Sequence, residues 1–221
     1  MNALSEDDIR EMVLRLAHEI RNPLATIKSA VQLIQRLTKP EGEIEEYFAS
    51  ALAQVARIDL TVQDMQRFVR LTQAPPQPVQ LTKAAAIAAE AHRHQATRGG
   101  TELVVAGGPA MAVLIDPGHL HLALDELLAN AIRFSPPGSP VTVSWAASDR
   151  GEVSLNVDDE GPGIPPENSG RILKPFFSTS TQATGLGLNI VEKICVLAGG
   201  RFEWRNLAGH GCRFSIVLKE G

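Results

Sequence analysis

The stretch that decides the fold is Leu16-Ala17-His18-Glu19-Ile20-Arg21-Asn22-Pro23-Leu24. It lies within a run of apolar residues at helical spacing, which predicts a helix over residues 5–38. Pro23 cannot donate a backbone hydrogen bond to the carbonyl of Glu19, so we expect this helix to kink just after His18. A proline in a helix interior costs roughly 3 kcal/mol. Its place beside a histidine and a carboxylate favours a functional role, although an exposed histidine on an ordinary amphipathic helix fits this stretch equally well.

The flanking sequence predicts a helical hairpin. Ser5 and Asp8 are spaced as a capping box at the start of the first helix. Residues 39–43 contain a proline and a glycine, and apolar residues at helical spacing from Ile44 to Leu71 predict a second helix. A hairpin cannot cover its own apolar stripe, so we predict that two copies pack as a four-helix bundle in a homodimer. The alternative is that the hairpin packs on a downstream domain.

Composition restricts the class of protein. A chain of 221 residues with 44% hydrophobic residues can form one large or two modest domains. The net charge of −4 argues against nucleic acid or an anionic membrane as a general partner. No apolar run is long enough to span a bilayer, and the polar N-terminus is unlike a secretory signal. Cys195 and Cys212 lie in apolar patterns without metal-ligand spacing, so we expect reduced core thiols in a cytoplasmic protein.

The proline-rich stretch Ala74-Pro75-Pro76-Gln77-Pro78 predicts a stiff linker over residues 75–78. It separates a helical domain, residues 1–74, from a second domain, residues 79–221. In the second domain, strands are predicted near 79–81, 102–106, 110–114, 141–146, 152–157, 201–205 and 212–218, and helices near 83–97, 117–134 and 188–197. This alternation predicts an α+β fold with the helices layered as a sandwich on one face of a mixed sheet.

Polar residues on one predicted helix form a candidate binding row. Glu126, Asn130 and Arg133 are spaced by four and three residues and fall on the same face of the helix near 117–134. A carboxylate, an amide oxygen and a guanidinium in a row can hold a metal-bound polyphosphate, since Mg²⁺ accepts one or two protein oxygens. A solvated polar face is the alternative interpretation of this row.

Two glycine-containing segments complete the candidate site. Asp159 ends a predicted strand and is followed by Gly161 and Gly163, which let backbone approach a ligand closely, and its carboxylate can accept a hydrogen bond from an amine such as that of adenine. Residues 184–189, Thr-Gly-Leu-Gly-Leu-Asn, open a predicted helix. Free backbone N–H groups there can bind phosphate. Either glycine pair alone is a weak signal, and neither fits a Rossmann or Walker motif.

Taken together and in this order, these motifs resemble those of sensor histidine kinases. His18-Glu19-Ile20-Arg21-Asn22-Pro23-Leu24 is similar to their H box, and Glu126-Leu127-Leu128-Ala129-Asn130-Ala131-Ile132-Arg133-Phe134-Ser135 to their N box. Asp159-Glu160-Gly161-Pro162-Gly163-Ile164 resembles the G1 box, Pro175-Phe176-Phe177 the F box, and Thr184-Gly185-Leu186-Gly187-Leu188 the G2 box. The short segment after the F box is most similar to the class that contains the nitrogen-regulation sensor kinases.

The resemblance implies a dimerisation and histidine-phosphotransfer domain followed by a Bergerat-type ATP-binding domain. His18 is then expected to accept the γ-phosphoryl group of ATP and to pass it to an aspartate of a response regulator. The implied catalytic residues are His18, Glu19, Asn22 and Glu126. The implied nucleotide contacts are Asn130, Arg133, Phe134, Asp159, Gly161, Gly163, Ile164, Thr184, Gly185, Leu186 and Gly187, with Mg²⁺ on Asn130 and Glu126. Asn22 matches the family position that orients water for dephosphorylation of the regulator.

The sequence departs from the family pattern at several positions. Ala183 replaces the glycine that usually opens the G2 box, and Arg133 replaces the commoner lysine. Glu126 stands where many members have asparagine. The lysine that often follows the F box in the short-lid class is missing, which is expected to weaken γ-phosphate binding unless Lys174 substitutes for it.

Two other functions remain as alternatives. A non-catalytic phosphotransfer or scaffold dimer would no longer bind ATP, but the retained Asn130, Asp159 and box glycines count against it. Another Bergerat-type ATPase, such as a chaperone or topoisomerase relative, would leave the His18 stretch and the helical hairpin without a purpose.

Overall fold

The computed structural model describes residues 6–148, 151–180 and 183–221. Two units are distinguished by their internal packing. Unit 1 comprises Met1–Leu71 and Pro175–Leu186, and unit 2 comprises Thr72–Lys174 and Gly187–Gly221. Within the described residues, no helix combines the length and the apolar character that crossing a bilayer requires.

Unit 1 contains the predicted helical hairpin. Helix α1 spans Glu6–Thr38 and helix α2 spans Glu43–Arg70. Their contact buries a small number of apolar side chains, chiefly Ala17, Leu24, Val55 and Val62. Helix α1 continues through Pro23, so the kink stays a prediction. Ser5 of the predicted capping box, like the side chain of Asp8, lies outside the described residues.

A row of large apolar side chains remains exposed on the hairpin. The exposed residues are Met12, Leu16, Ile20, Ile27, Leu33, Ile34, Leu37, Ile44, Tyr47, Ile58 and Leu60. Leu37 is 74% exposed and Ile34 is 49% exposed. So many exposed large apolar side chains on two helices are typical of an interaction surface.

Unit 2 is built on a five-stranded mixed sheet. Its strands are β2 (Glu102–Gly107), β4 (Pro140–Ala147), β5 (Glu152–Asp159), β6 (Arg201–Asn206) and β7 (Cys212–Lys219), in the order β2-β4-β5-β7-β6. Among the strand pairs of this sheet that the structure describes, β2 and β4 run parallel and the other three pairs are antiparallel. The helices of unit 2 are α3 (Leu81–Gly99), α4 (Pro117–Phe134), the short α5 (Pro166–Ser169) and α6 (Gly187–Leu197). This confirms the predicted α+β fold.

One face of the sheet forms the core with the helices. Cross-strand neighbours on that face are apolar and buried, as in the pairs Val143–Val157 and Leu155–Ile216. Facing them, α4 contributes the side chains predicted for its apolar face, namely Leu120, Leu124, Leu127, Leu128 and Ile132. Alternate residues of a strand point to opposite sides of the sheet, and the residues between the buried apolar ones are mostly polar, so the opposite face is largely polar. Cys195 and Cys212 are free and buried, as predicted.

The predicted boundaries were wrong near the linker. Strand β1 spans Gln77–Gln80 and pairs antiparallel with β3, Ala112–Ile115. Gln77 and Pro78 therefore belong to a strand and not to the predicted linker. The error has a physical cause. A proline-rich segment is typical of a linker, but proline is also tolerated in an edge strand such as β1. Helix α5 was not predicted at all, because its four residues are too few to show a period.

Candidate functional site

Asp159 lies at the end of β5, and its side chain is only 4% exposed. Its Oδ1 accepts hydrogen bonds from the backbone N–H of Gly161 at 2.9 Å and of Cys212 at 3.2 Å. Burial raises the pKa of the Asp159 carboxyl above its ordinary value, although these two hydrogen bonds oppose the shift. Within the described part of the chain, Oδ2 accepts no hydrogen bond. One oxygen thus anchors the side chain, and the other is available to a ligand that can donate a hydrogen bond.

The neighbouring Asp158 plays a different part. Arg213 on β7 donates from Nε to its Oδ1 at 2.6 Å and from Nη2 to its Oδ2 at 2.5 Å. This bidentate pair raises the pKa of the Arg213 guanidinium. Successive residues of a strand point to opposite faces, so Asp158 is neutralised on one face while Asp159 is held on the other.

Close backbone approaches surround Asp159. A Cβ at Gly161 would lie 2.8 Å from the carbonyl oxygen of Phe134 and 2.9 Å from Asp159 Oδ1. A Cβ at Gly211 would lie 1.9 Å from the carbonyl oxygen of Asp159, closer than any side chain permits. The structure therefore brings three of the candidate site residues, Phe134, Asp159 and Gly161, close together, and adds Gly211 from the turn between β6 and β7.

One end of the predicted polar row on α4 lies next to the N-terminus of helix α6. Glu126 and Asn130 are half-buried, and Arg133 is exposed. A Cβ at Gly187, the first residue of α6, would lie 2.7 Å from Glu126 Oε2. The Glu126 carboxylate thus sits at a helix N-terminus, where negative charge is favoured. Asn130 makes no hydrogen bond to any residue that the structure describes, so its amide is available to a ligand.

The remaining residues of the G2 segment are placed in unit 1. Thr184 Oγ1 donates to Asp64 Oδ2 of α2 at 2.6 Å and accepts from the N–H of Leu186 at 3.3 Å. Asp64 is 9% exposed and also forms an ion pair with Arg67 at 3.2 Å. Thr184, Gly185 and Leu186 belong to unit 1, whereas Gly187 begins the second part of unit 2. In this arrangement the hydroxyl of Thr184 is occupied by a carboxylate.

The H-box side chains are displayed on the surface of α1. His18, Glu19 and Asn22 are all exposed, and no hydrogen bond joins His18 to Glu19 in the described chain. Arg21 holds this part of α1 to α2, since its Nε lies 3.1 Å from Asp59 Oδ1. The imidazole of His18 is therefore open to a reactant.

Sequence reasoning missed three sets of polar contacts. The sequence analysis singled out neither Asp64, which accepts a hydrogen bond from Thr184, nor Asn206, which forms hydrogen bonds to the backbone of Ile164. Two histidines on different helices, His92 and His121, lie 3.7 and 3.4 Å from opposite oxygens of Asp125. Only the pair His121–Asp125 leaves a signal in the sequence, its spacing of four residues on one helix. Among the described residues, no group of three or more acidic, histidine or cysteine side chains could hold a metal ion.

Comparison with known proteins identifies the family to which the chain is similar. Residues 8–74 match the His Kinase A (phospho-acceptor) domain. Residues 115–221 match the family described as Histidine kinase-, DNA gyrase B-, and HSP90-like ATPase. A solved structure of the mycobacterial sensor histidine kinase MprB is 30% identical, with a TM-score of 0.59, and the match covers 66% of this chain and 97% of that one. The chain belongs to the sensor histidine kinase family.

Longer relatives match almost the whole chain. The sensor protein kinase PilS of Pseudomonas aeruginosa is 29% identical over 210 residues, which cover 92% of this chain and 39% of PilS. Full-length ShkA, solved in complex with AMPPNP, is 28% identical with a TM-score of 0.74, and the match covers 96% of this chain and 46% of ShkA. The chain therefore spans less than half the length of these histidine kinases.

Proposed function

We propose that this chain is the catalytic core of an ATP-dependent protein histidine autokinase that phosphorylates His18 and transfers the phosphoryl group to an aspartate of a response regulator. The observation that carries the proposal is the Asp159 carboxylate, buried and anchored through one oxygen at the end of β5. A carboxylate with one free oxygen in a buried site selects a ligand with a hydrogen-bond donor, such as the exocyclic amine of adenine. The matched ATPase family and the AMPPNP complex of ShkA support the same ligand.

The phosphate end of the nucleotide is assigned to the polar row on α4 and to the G2 segment. Asn130 and Glu126 offer an amide oxygen and a carboxylate, the hard oxygen ligands that suit Mg²⁺. Bound there, Mg²⁺ would neutralise charge on the phosphates. Arg133 supplies a further positive charge, and the N–H groups around Gly185 and Gly187 supply donors at the start of α6. Phe134, Gly161, Gly163, Ile164, Thr184 and Leu186 complete the proposed binding residues.

In the proposed reaction, a ring nitrogen of neutral His18 attacks the γ-phosphorus of ATP. A nitrogen–phosphorus bond forms as the bond to the bridging oxygen breaks, and ADP leaves. Glu19 accepts a hydrogen bond from the other ring nitrogen and stabilises the positive charge that develops. The receiver aspartate then takes the phosphoryl group from the exposed His18. Asn22 orients water for hydrolysis of the phospho-aspartate, in line with the kinase/phosphatase name of the MprB relative.

The proposed organisation follows the same residues. Residues 1–74 form the dimerisation and phosphotransfer domain and residues 79–221 the ATP-binding domain. The linker predicted at 75–78 is shortened to residues 75–76, because strand β1 begins at Gln77. Family membership implies dimerisation in general, and the exposed apolar row on the hairpin supports a four-helix bundle formed by two copies. The short segment after the F box favours the nitrogen-regulation class, and the missing lid lysine is a departure from that class. A cytoplasmic site of action fits ATP as the substrate.

The proposal is tested by incubating the chain with γ-labelled ATP and Mg²⁺, and then with a receiver domain. We expect label that is lost in acid and stable in base, as a phosphoramidate is, and its transfer to the receiver. His18→Gln is expected to abolish the label and Asn130→Asp to reduce it strongly. His94→Gln, which alters another exposed histidine, serves as the matched control and is expected to label normally. Undiminished label in His18→Gln would contradict the assignment, and the absence of saturable ATP binding would favour a scaffold.

A further inference from the structure

The last residue of β6, Asn206, makes two hydrogen bonds to the backbone of a residue 42 positions earlier. Its Oδ1 accepts from the N–H of Ile164 at 2.8 Å, and its Nδ2 donates to the carbonyl of Ile164 at 2.9 Å. The side-chain amide therefore satisfies both polar groups of one peptide residue, as a neighbouring strand would. Ile164 ends the loop that begins at Asp159, residues 159–164, which we call the G1 loop. The two hydrogen bonds of Asn206 therefore fix the C-terminal end of the G1 loop.

Further contacts join the same two regions. The N–H of Gly211 donates to the carbonyl of Gly161 at 2.7 Å, and the N–H of Cys212 donates to Asp159 Oδ1. The turn between β6 and β7 thus contacts the G1 loop at its start and middle, and Asn206 contacts it at its end. The side chain of His210 in the turn also lies 3.5 Å from Glu160 Oε2, with both groups largely exposed. Of the hydrogen bonds named here, those of Asn206 are made by a side chain of the turn region, so they can be removed by substitution without altering the backbone.

The glycine beside this contact shows how close the fit is. Gly163 has a φ of +73°, in the left-handed region, and a Cβ there would lie 3.1 Å from Asn206 Oδ1. The loop therefore takes a conformation that an isolated peptide adopts reluctantly with any other residue. A loop of this kind needs external contacts to keep one conformation, and Asn206 supplies the two nearest to Gly163.

We propose that Asn206 is a positioning residue for the nucleotide, which sets the affinity for ATP by holding the G1 loop in its binding conformation. This inference rests on the proposed function, since it assumes that Asp159 and the loop after it bind the adenine. Asn206 acts through Ile164 and needs no contact of its own with ATP, because each polar atom of its side chain forms a hydrogen bond to the backbone of Ile164. Loss of the amide is expected to weaken ATP binding while the reaction at His18 proceeds at its normal rate.

The test compares Asn206→Ala, Asn206→Asp and Arg205→Ala with the wild-type chain. Asn206→Asp keeps an acceptor for the Ile164 N–H but sets a carboxylate against the Ile164 carbonyl. Arg205 is the adjacent exposed residue of β6 and points to the opposite face, so it is the matched control. Three quantities are measured: the Kd for ATP by calorimetry, the KM and kcat of autophosphorylation, and the hydrogen exchange rate of the Ile164 amide without nucleotide.

For both Asn206 variants we expect the Kd and KM for ATP to rise about tenfold, the value of one or two neutral hydrogen bonds, with kcat changed less than about twofold. Exchange of the Ile164 amide is expected to accelerate in Asn206→Ala, and Arg205→Ala is expected to match the wild type throughout. Thermal unfolding verifies that the variants are folded.

Two kinds of failure are distinguishable. A wild-type chain that binds no ATP overturns the proposed function, and this inference with it. A wild-type chain that binds ATP, beside an Asn206→Ala variant of unchanged affinity, overturns the inference alone. A loss confined to kcat, or an Ile164 amide that exchanges at the wild-type rate, also overturns it, because the loop would then not depend on Asn206.

Discussion

The environment of Asp159 and the environment of His18 differ in almost every physical respect. Asp159 is 4% exposed and is held by backbone donors from two separate segments of unit 2. His18 is exposed on a helix whose neighbouring apolar side chains are also exposed. The Asp159 carboxylate is held by contacts within unit 2, whereas the His18 side chain is exposed to solvent. A rigid site for a small molecule and an accessible site for macromolecular partners place opposite demands on burial.

The largest expected effect is on the affinity for ATP when the buried Asp159 is substituted. Asp159→Asn replaces the free carboxylate oxygen by a group of lower charge and, in one orientation, by a second donor. A hydrogen bond to a charged group contributes about 1.5–3 kcal/mol, so we expect the Kd for ATP to rise between about tenfold and a hundredfold. Calorimetric titration with ATP measures this change.

Asp158→Asn is the matched control for this substitution, since it removes the neighbouring carboxylate, which pairs with Arg213 on the other face. We expect its Kd for ATP to stay within about threefold of wild type, because a partly exposed ion pair has little influence across the sheet. An equal rise in the Kd for ATP in both variants would mean that the burial of Asp159 gives it no larger role in ATP binding than Asp158 has.

A smaller effect is expected on the exposed side. Ile34→Glu places a charge in the exposed apolar row of the hairpin, and we expect self-association to weaken about tenfold. Sedimentation velocity over a range of concentrations measures the monomer–dimer equilibrium. Ser29→Glu, an identical charge at an exposed polar position of α1, is expected to leave the dimer intact. A wild-type chain that is monomeric at every concentration would remove the explanation for the exposed row.

The smallest expected effect is a pH dependence of stability. Because burial raises the pKa of Asp159, the folded chain retains a proton that the unfolded chain releases just above the ordinary carboxyl pKa of 3.8. The free energy of unfolding of wild type, relative to Asp159→Asn, is therefore expected to fall as the pH rises through that region, and then to level off.

Urea unfolding at a series of pH values, followed by tryptophan fluorescence, tests this sign. Both tryptophans, Trp145 and Trp204, lie in unit 2, so the signal reports the unit that contains Asp159. A relative stability that increases with pH would show that the two backbone hydrogen bonds outweigh burial, and that the carboxylate is stabilised where we describe it as destabilised.

Local sequence signals were enough to predict most of the fold. Helix α4 was predicted with its observed limits, Pro117–Phe134, because its start and its end are both marked by local residues. Asp116 accepts a hydrogen bond from the N–H of His119, with proline at the first helical position. Strand β1 was misplaced because its pairing with β3 is decided by residues far away in the chain.

The same distinction applies to the candidate site. Asp159 and the glycines after it were predicted because a strand end and a turn are adjacent in sequence. The bond from Asn206 to Ile164 spans 42 residues, and the bond from Thr184 to Asp64 spans 120. In neither pair do the residues next to one partner in the sequence indicate where the other partner is. Polar contacts across such separations depend on tertiary packing, and one sequence alone contains no periodic pattern that predicts them.

The cysteine that anchors Asp159 has a consequence for chemical modification. Cys212 contributes its backbone N–H to the carboxylate, while its thiol lies buried and donates to the carbonyl of Arg205 at 3.2 Å. Burial, with the nearby negative charge of Asp159, raises the pKa of the Cys212 thiol to about 12. Since the thiolate is the reactive form, this sulfur resists peroxide and alkylating reagents at neutral pH. Oxidative stress would therefore leave the sulfur beside Asp159 chemically unchanged.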